Sequence, residues 1–227
     1  MDYKREAARQ ALDLVQSGML LGLGTGSTVA PFLDLLGDRL RSGELRDISG
    51  VPTSQGTAAR AQALGIPLAS LADHARLDLA VDGADEVDSG LNLIKGLGRA
   101  LLREKVVEIH CDRFVVVVDE SKLVRRLGST VPLPVEMTTF SERAHLRWLN
   151  TLGCLAEQWL EEDGSPVVTD NGNYLALCRF PDGIDDAYGL ARALADRPGI
   201  IEHGLFLDMA TSVIVAGPGG TRTLERR

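Results

Sequence analysis

Three carboxylates and one lysine lie close together in the middle of the sequence. Asp82 and Asp85 follow the apolar run Leu79–Val81, and Lys95 and Glu104 come shortly after them. An apolar run that ends in an Asp-Gly turn is typical of a buried strand that delivers carboxylates to the edge of a sheet. The glycines after Lys95 predict a tight entry to a helix, whose first backbone N–H groups are available to a ligand. Carboxylates beside a lysine and a helix N-terminus suit proton transfer next to a developing oxyanion.

A glycine-rich stretch, Gly22-Leu-Gly-Thr-Gly-Ser-Thr28, lies upstream of these residues. It follows a predicted strand and precedes a predicted helix, where backbone N–H groups and the helix dipole favour an anion. Thr25, Ser27 and Thr28 add hydroxyl donors. The alternative is a tight turn capped by Ser27. The stretch lacks the third glycine of a dinucleotide fingerprint and the Gly-Lys-Ser/Thr of a Walker loop. We therefore predict a phosphate cradle and chemistry on a small phosphorylated molecule.

Each of these residues also has an ordinary structural interpretation. Asp82 and Asp85 could form an Asx turn or cap a helix, the commonest role of an aspartate after a strand. Lys95 taken alone is more often a solvated surface lysine. Glu104 lies between two basic residues on a predicted helix, where a solvated side chain is the default. The combination, rather than any single residue, indicates a functional site.

The composition is that of a globular α/β protein with an acidic surface. The chain has 227 residues, 44% of them hydrophobic, so it can bury a substantial core. Aromatic residues are scarce at 4%, as in proteins with buried parallel strands. The net charge of −8 argues against a nucleic-acid partner, and the basic cluster Leu123–Arg126 is too short to change that. A local, glycine-rich site can still bind a phosphorylated metabolite.

The cysteines and histidines have no metal-ligand spacing, so we expect no metal site among them. They are Cys111, Cys154, Cys178, His74, His110, His145 and His203. Ordinary buried thiols suit a cytoplasmic protein. The N-terminal segment Met1–Glu6 opens an amphipathic helix without an apolar signal core, and no apolar run approaches membrane-spanning length. We therefore expect a cytoplasmic protein with no membrane partner.

The first half of the chain alternates between strands and helices. The predicted strands are Met19–Leu23, Ile48–Val51, Leu77–Val81 and Phe114–Val118, and the predicted helices are 4–17, Thr28–Leu40, Ala58–Leu64 and Gly98–His110. This alternation predicts β-α-β units and a doubly wound, mostly parallel, Rossmann-like sheet.

The pattern changes near Pro132 and Pro134. The predicted order becomes strand, helix, strand, strand, helix, strand, over Val131–Met137, Ser141–Leu152, Cys154–Leu160, Tyr174–Phe180, Asp185–Ala195 and Ile200–Phe206. That order is the ferredoxin-like split unit. A last strand, Thr211–Ala216, could return to the first sheet. We therefore expect a smaller α+β ferredoxin-like domain, residues 131–206, inserted into an α/β catalytic domain of residues 1–130 plus 207–227.

Several motifs, in order along almost the whole chain, resemble ribose-5-phosphate isomerase of the A type. They are Gly22–Thr28, Val51-Pro-Thr-Ser54, Val81-Asp-Gly-Ala-Asp-Glu86, Lys95-Gly-Leu-Gly98, Leu102-Arg-Glu-Lys105, Ser121-Lys122, Val131-Pro-Leu-Pro-Val-Glu136, Val168-Thr-Asp-Asn-Gly172 and Pro198-Gly-Ile-Ile201. The resemblance implies interconversion of ribose 5-phosphate and ribulose 5-phosphate through an enediolate, without metal or cofactor. It also implies the non-oxidative pentose phosphate pathway and a homodimer.

The resemblance assigns a role to each candidate site residue. Glu104 is the proton-shuttling base, and Lys95 with the amides of Gly96–Gly98 stabilises the enediolate. Asp82 and Asp85 orient sugar hydroxyls and assist ring opening. The residues implied to contact substrate are Thr25, Gly26, Ser27, Thr28, Asp82, Gly83, Ala84, Asp85, Lys95, Gly96, Leu97, Gly98 and Lys122. A low-dielectric cleft would raise the pKa of the base and strengthen the hydrogen bonds to the enediolate.

Two positions depart from the family pattern. Leu97 stands where members often carry glycine, which is compatible with binding if only its N–H faces the substrate. Arg99 stands where a small residue is usual, and it could either face solvent or add positive charge near the site.

Two other classes of function compete with an isomerase. A sugar-phosphate sensor of a bacterial regulator usually carries a helical DNA-binding module, but here the first strand starts by Met19. An acyl-CoA transferase needs its glutamate in a strained turn, whereas Glu104 lies on a predicted helix among charged residues. Turnover of ribose 5-phosphate separates an enzyme from a sensor, and CoA-dependent labelling of the glutamate tests the transferase.

Overall fold

The computed structural model describes residues 3–226, which form two compact units. One unit runs from the start of the described chain to Ala84 and also contains Arg103–Lys122 and the residues from Asp208 onward. The other contains Asp85–Leu102 and Leu123–Leu207. Met1 and Asp2, at the start of the amphipathic segment predicted at the N-terminus, lie outside the described residues.

The helices and strands of the described chain are as follows. The helices are α1 (Tyr3–Leu12), α2 (Ala30–Arg41), α3 (Gln55–Ala63), α4 (Leu101–Glu108), α5 (Glu142–Leu149) and α6 (Ala187–Ala195). The strands are β1 (Leu20–Leu23), β2 (Ser49–Pro52), β3 (Leu77–Asp82), β4 (Glu86–Val87), β5 (Leu93–Ile94), β6 (Cys111–Asp119), β7 (Leu133–Met137), β8 (Leu155–Gln158), β9 (Tyr174–Arg179), β10 (Ile200–His203), β11 (Leu205–Phe206), β12 (Ser212–Gly217) and β13 (Gly220–Glu225).

The first unit is built on a six-stranded sheet in the order β13-β12-β6-β3-β1-β2. All neighbouring pairs are parallel except β12 with β13, so the prediction of a mostly parallel α/β sheet is confirmed. The central strands are apolar on both faces, as in Val115–Val118 of β6, because helices cover both sides of such sheets. The core also includes Ala7, Ala8 and Ala11, since α1 packs against β6 and β12.

The order of the strands determines which loops become neighbours. β1 pairs with β3 in register Leu23 to Val81, so the loop after β1 and the end of β3 leave the sheet side by side. Both lie at the carboxyl edge, where ligands of open α/β sheets bind. The glycine-rich loop is therefore adjacent to Asp82.

The second unit contains two small antiparallel sheets. The larger has the order β10-β7-β9-β8, and its strands alternate along the chain with α5 and α6. Its core is formed by fully buried residues such as Val135, Met137 and Ala176. The smaller sheet, β11-β5-β4, brings Leu93 and Ile94 between two short strands and so anchors the backbone just before Lys95.

The strand predicted over Ile200–Phe206 is wrong as a single element. It divides at Gly204 into β10 and β11, which belong to different sheets. The Gly204 N–H donates to the Pro134 carbonyl at 2.8 Å, and its carbonyl accepts from the Lys95 N–H at 2.9 Å. A Cβ on residue 204 would lie 2.2 Å from the Lys95 carbonyl oxygen, so only glycine fits. Hydrophobic periodicity does not reveal this close approach.

Among the residues that the structure describes, no helix combines the length and apolar character that a membrane span requires.

Candidate active site

The glycine-rich loop holds the Asp82 carboxylate through backbone amides. Gly24 continues the sheet by donating its N–H to the Val81 carbonyl at 3.0 Å. Asp82 Oδ1 then accepts from the Thr25 N–H at 3.1 Å and from the Gly83 N–H at 2.7 Å. A Cβ on Gly24 would lie 2.2 Å from Asp82 Cγ, so this approach requires glycine. The carboxylate is 1% exposed, and two amide donors fix its orientation.

The Thr25 hydroxyl points into a cluster of hydroxyl groups at the start of α3. Its Oγ1 lies 2.7 Å from Thr53 Oγ1, 2.9 Å from Ser54 Oγ and 3.1 Å from Thr57 Oγ1. Ser54 caps α3 by accepting from the Thr57 N–H at 3.0 Å, and the Thr57 hydroxyl donates to the Gly24 carbonyl at 2.9 Å. The loop and α3 line a cavity of about 300 Å³. The buried hydroxyls therefore fix one side of the loop.

Two lysines of the first unit act on the Asp119 carboxylate, and one of them contacts the loop. The Lys4 ammonium, from the first turn of α1, donates to Ser27 Oγ at 2.8 Å. Lys122 ends a short 3₁₀ turn directly after β6. Burial alone would raise the pKa of Asp119, but hydrogen bonds from Ser121 and the charges of Lys122 and Lys4 outweigh it, so the pKa lies below its usual value. Both ammonium groups thus act on the same carboxylate, and Lys4 reaches the exposed hydroxyl of the loop.

Glu104 lies in the first turn of α4 and is 3% exposed. Its default interpretation as a solvated helix residue is therefore wrong. Glu108, one turn later, is also 3% exposed, so two carboxylates share the buried face of this short helix. Val107 packs with Val51 and Leu77 and holds that face against the sheet. Buried carboxylates are uncommon unless they are paired or functional.

The second unit holds Asp85, Lys95 and the glycines that follow. The Asp85 N–H donates to the Ile94 carbonyl at 2.8 Å, which ties the aspartate to β5. Asp85 Oδ2 accepts from the Leu97 N–H at 3.0 Å, so the Leu97 amide orients a carboxylate of the predicted site. Lys95 is 2% exposed, and its Nζ lies 5.4 Å from the centroid of the Phe206 ring. Gly96 has φ of 112°, a turn that favours glycine.

Arg99 is partly exposed to solvent and forms an ion pair. Its guanidinium forms two hydrogen bonds to Glu161, at 2.7 and 3.0 Å, and lies 5.1 Å from the centroid of the Trp159 ring. The side chain is thus about half-exposed, and Glu161 offsets its charge.

Each unit thus contains buried charged side chains of the types that serve in acid–base chemistry, Asp82 and Glu104 in the first and Lys95 in the second. Asp82, Lys95 and Glu104 are almost fully buried, and burial strengthens electrostatic interactions with a bound charge. The described part of the chain contains no group of three or more histidine, cysteine, aspartate or glutamate side chains arranged to hold a metal ion.

Sequence reasoning missed three side chains that lie beside the predicted site residues or share a helix face with one of them. Lys4 lies 23 positions from Ser27 and belongs to no motif, so no local signal pointed to it. Thr57 follows Ser54 by three positions, the spacing of a capped helix, and that spacing could have indicated a polar cluster. Glu108 shares a helix face with Glu104, which the i, i+4 spacing could have indicated.

The fold and these side chains define an α/β enzyme of the kind that moves protons on a small phosphorylated molecule. Comparison with known proteins makes this specific. The chain belongs to the family of ribose 5-phosphate isomerase A (phosphoriboisomerase A), whose family model matches residues 49–220.

Relatives and solved structures agree with this membership. Ribose-5-phosphate isomerase A of Roseiflexus castenholzii is 50% identical over 98% of this chain and 95% of that protein. The probable ribose-5-phosphate isomerase 3, chloroplastic, of Arabidopsis thaliana is 48% identical over 99% of this chain and 83% of that protein. A solved D-ribose-5-phosphate isomerase in complex with phospho-erythronic acid is 44% identical, with a TM-score of 0.96, and the match covers 99% of this chain and 98% of that one.

Proposed function

We propose that the protein interconverts D-ribose 5-phosphate and D-ribulose 5-phosphate through an enediolate intermediate, a step of the non-oxidative pentose phosphate pathway. The family membership supports this reaction. The observation that carries the proposal is the burial of Asp82, Lys95 and Glu104, which are 1%, 2% and 3% exposed. Charged side chains are rarely buried to this extent unless they are paired or functional.

The phosphate is proposed to bind at the loop Thr25–Thr28 together with Lys122 and, from the structure, Lys4. The Lys4 ammonium already contacts the exposed Ser27 hydroxyl at 2.8 Å, where a phosphate oxygen could accept hydrogen bonds from both groups. The first turn of α2 follows the loop, so its dipole adds a favourable field. Gly26 has φ of 101°, which lets the backbone turn toward a ligand.

Glu104 is proposed to carry the proton between the two carbons of the substrate. Isomerisation of an aldose to a ketose moves one proton from C2 to C1, and a single carboxylate can take it and return it. Lys95 and the amides of the Gly96–Gly98 segment are proposed to stabilise the negative oxygen that forms in between. No metal and no cofactor takes part in this proposal.

Asp82 and Asp85 are proposed to orient the sugar hydroxyls and assist ring opening, beside Gly83 and Ala84. Each aspartate is held by backbone amides, Asp82 by those of Thr25 and Gly83 and Asp85 by that of Leu97. Fixed carboxylates can accept hydrogen bonds from hydroxyl groups without losing entropy when the substrate binds.

The finer architecture is also a proposal. The order β7-α5-β8-β9-α6-β10 and the sheet order β10-β7-β9-β8 support a ferredoxin-like domain over residues 131–206, inserted into a Rossmann-like domain of residues 1–130 and 207–227. We further propose a homodimer that works in the cytoplasm. The family supports the dimer, and the free thiols of all three cysteines suit a reducing compartment.

Turnover tests the proposed function. The purified protein is mixed with D-ribose 5-phosphate, and the appearance of the ketose is followed directly. Unphosphorylated D-ribose serves as the matched control, because it offers the same carbonyl chemistry without the anchor. We expect rapid conversion of the phosphate ester and little conversion of the free sugar. No conversion of D-ribose 5-phosphate would refute the proposal.

A further inference from the structure

The residue after the Lys95–Gly98 segment is in an unusual backbone conformation. Arg99 has φ of 65°, in the left-handed region that residues with a side chain rarely adopt. Its N–H donates to the Gly96 carbonyl at 2.9 Å and closes a tight turn across the segment. Glycine would adopt this backbone angle with less strain than arginine. We therefore expect a side-chain contact of Arg99 that offsets the strain.

The side chain of Arg99 supplies that contact. Its guanidinium donates from Nη1 to Glu161 Oε1 at 2.7 Å and from Nη2 to Glu161 Oε2 at 3.0 Å. The same group lies over the Trp159 ring, 5.1 Å from its centroid. The planar guanidinium thus uses one edge for a bidentate carboxylate bond and one face for an aromatic ring, a combination that lysine does not reproduce.

Trp159 and Glu161 belong to a firmly bonded connection between β8 and β9. The Trp159 N–H donates to the Leu175 carbonyl at 2.8 Å, and its carbonyl accepts from the Val167 N–H at 2.9 Å. The Glu161 N–H donates to the Ser165 carbonyl at 2.7 Å. The partners of Arg99 are therefore fixed by their own backbone bonds, and they can serve as an anchor for the turn.

This anchor holds the Lys95–Gly98 segment, which is proposed to stabilise the enediolate. The turn that Arg99 closes contains the Leu97 amide, which donates to Asp85 Oδ2 at 3.0 Å. Movement of the turn would displace the Gly96–Gly98 amides and release one hydrogen bond to Asp85 at the same time. A glycine at position 99 would adopt the backbone angle more easily and leave the turn without an anchor.

We propose that Arg99 is a positioning residue that, through Trp159 and Glu161, holds the Lys95–Gly98 segment in the conformation that stabilises the enediolate. This inference rests on the proposed function of that segment. In this role Arg99 acts on the segment through its contacts with Glu161 and Trp159. Because the ion pair is half-exposed, with 41% and 40% of the two side chains accessible, its effect is moderate.

Steady-state kinetics on Arg99→Ala, Glu161→Gln and Trp159→Ala test the proposal. We expect kcat to fall about 3- to 10-fold in Arg99→Ala, which loses both the half-exposed ion pair and the cation–π contact, and by a smaller factor in Glu161→Gln and Trp159→Ala, which each lose one of the two. KM for D-ribose 5-phosphate should stay within about twofold, because the phosphate is bound elsewhere. Arg99→Lys should recover part of the loss, and the Arg99→Ala/Glu161→Gln double variant should be no slower than the worse single variant.

Two further measurements separate positioning from general destabilisation. Inhibition by phospho-erythronic acid, whose carboxylate mimics the charge of the enediolate, should weaken by the same factor as kcat. Inhibition by inorganic phosphate should not change. Arg126→Ala is the matched control, since it removes an exposed arginine–aspartate pair with Asp185 from the same unit. Its kcat should equal that of the wild type.

The outcomes are distinct. Wild-type kcat and unchanged inhibition by phospho-erythronic acid in Arg99→Ala and Glu161→Gln would overturn the positioning role while leaving the isomerase function intact. If inhibition by inorganic phosphate weakened as much as inhibition by phospho-erythronic acid, the positioning role would also be overturned, because the loss of binding would then be general. An inactive wild-type protein would instead refute the proposed function on which the inference rests.

Discussion

Replacing Lys4 by methionine should weaken the binding of D-ribose 5-phosphate much more than it slows turnover. The Lys4 ammonium lies 2.8 Å from Ser27 Oγ, at the loop proposed to bind the phosphate. A hydrogen bond to a charged group contributes about 1.5–3 kcal/mol, which corresponds to about 10- to 150-fold in kcat/KM. Lys4 is half-buried, so screening by solvent places the expected loss at the lower end of that range.

The loss should appear in KM, because the phosphate takes no part in the bond changes and its contacts are common to the ground and transition states. The assay is initial-rate formation of the ketose at several salt concentrations, and the wild-type advantage should shrink as salt rises. Arg9→Met is the matched control, since Arg9 lies on the same helix, is 70% exposed and pairs with Glu6 at 3.5 Å. Equal KM values for the Lys4 and Arg9 variants would refute the assignment of Lys4 to the phosphate.

Further predictions concern the loop, metal independence, one thiol and assembly. Ser27→Ala should raise KM more than it lowers kcat, and equal losses in kcat and kcat/KM would contradict this. Activity should survive exhaustive dialysis against EDTA, because the described residues hold no cluster suited to a metal; a loss that a divalent ion restores would count against it. Burial, and then the neighbouring carboxylates, raise the pKa of Cys111 to about 12, so the thiol stays protonated from pH 7 to 9. Its alkylation in the native protein, followed by peptide mass spectrometry, should therefore be far slower than in urea, and a rate equal to that of a free cysteine would show the thiol to be exposed. Light scattering should report a dimer at micromolar concentration, and a monomer would disprove the assembly.

The central sheet was predictable because its signal is local. Buried parallel strands read as continuous apolar runs such as Phe114–Val118, and helices between them carry their own periodicity. The outermost strand β13 has no such signal, since most of its side chains are exposed and it forms through backbone pairing with β12. The division at Gly204 depends on contact with Pro134 and Lys95, far away in sequence.

The candidate site was predictable only in part, because only some of its residues lie in contiguous motifs. The acidic and glycine motifs are contiguous, so spacing alone marked residues such as Asp82 and Thr25 for attention. Lys4 and Thr57 reach the loop from separate helices, and the partners of Arg99 lie about 60 positions later in the chain. Long-range contacts of this kind follow from the fold and leave no trace in local periodicity.

The most direct test of the account is solvent deuterium exchange in the Glu104→Gln variant. D-ribose 5-phosphate is incubated in heavy water with wild-type or variant protein, and carbon-bound deuterium in the pentose phosphate is followed by NMR. The amide keeps the shape of the side chain, which is 3% exposed, but removes the base. Exchange and turnover should both fall about 10²- to 10⁴-fold, the usual contribution of a positioned general base, while substrate affinity changes little. Asp82→Asn and Asp85→Asn should still exchange deuterium with acyclic substrate. Exchange at the wild-type rate in Glu104→Gln, together with its loss in one of the aspartate variants, would show that the proton is carried by the Asp82/Asp85 pair instead.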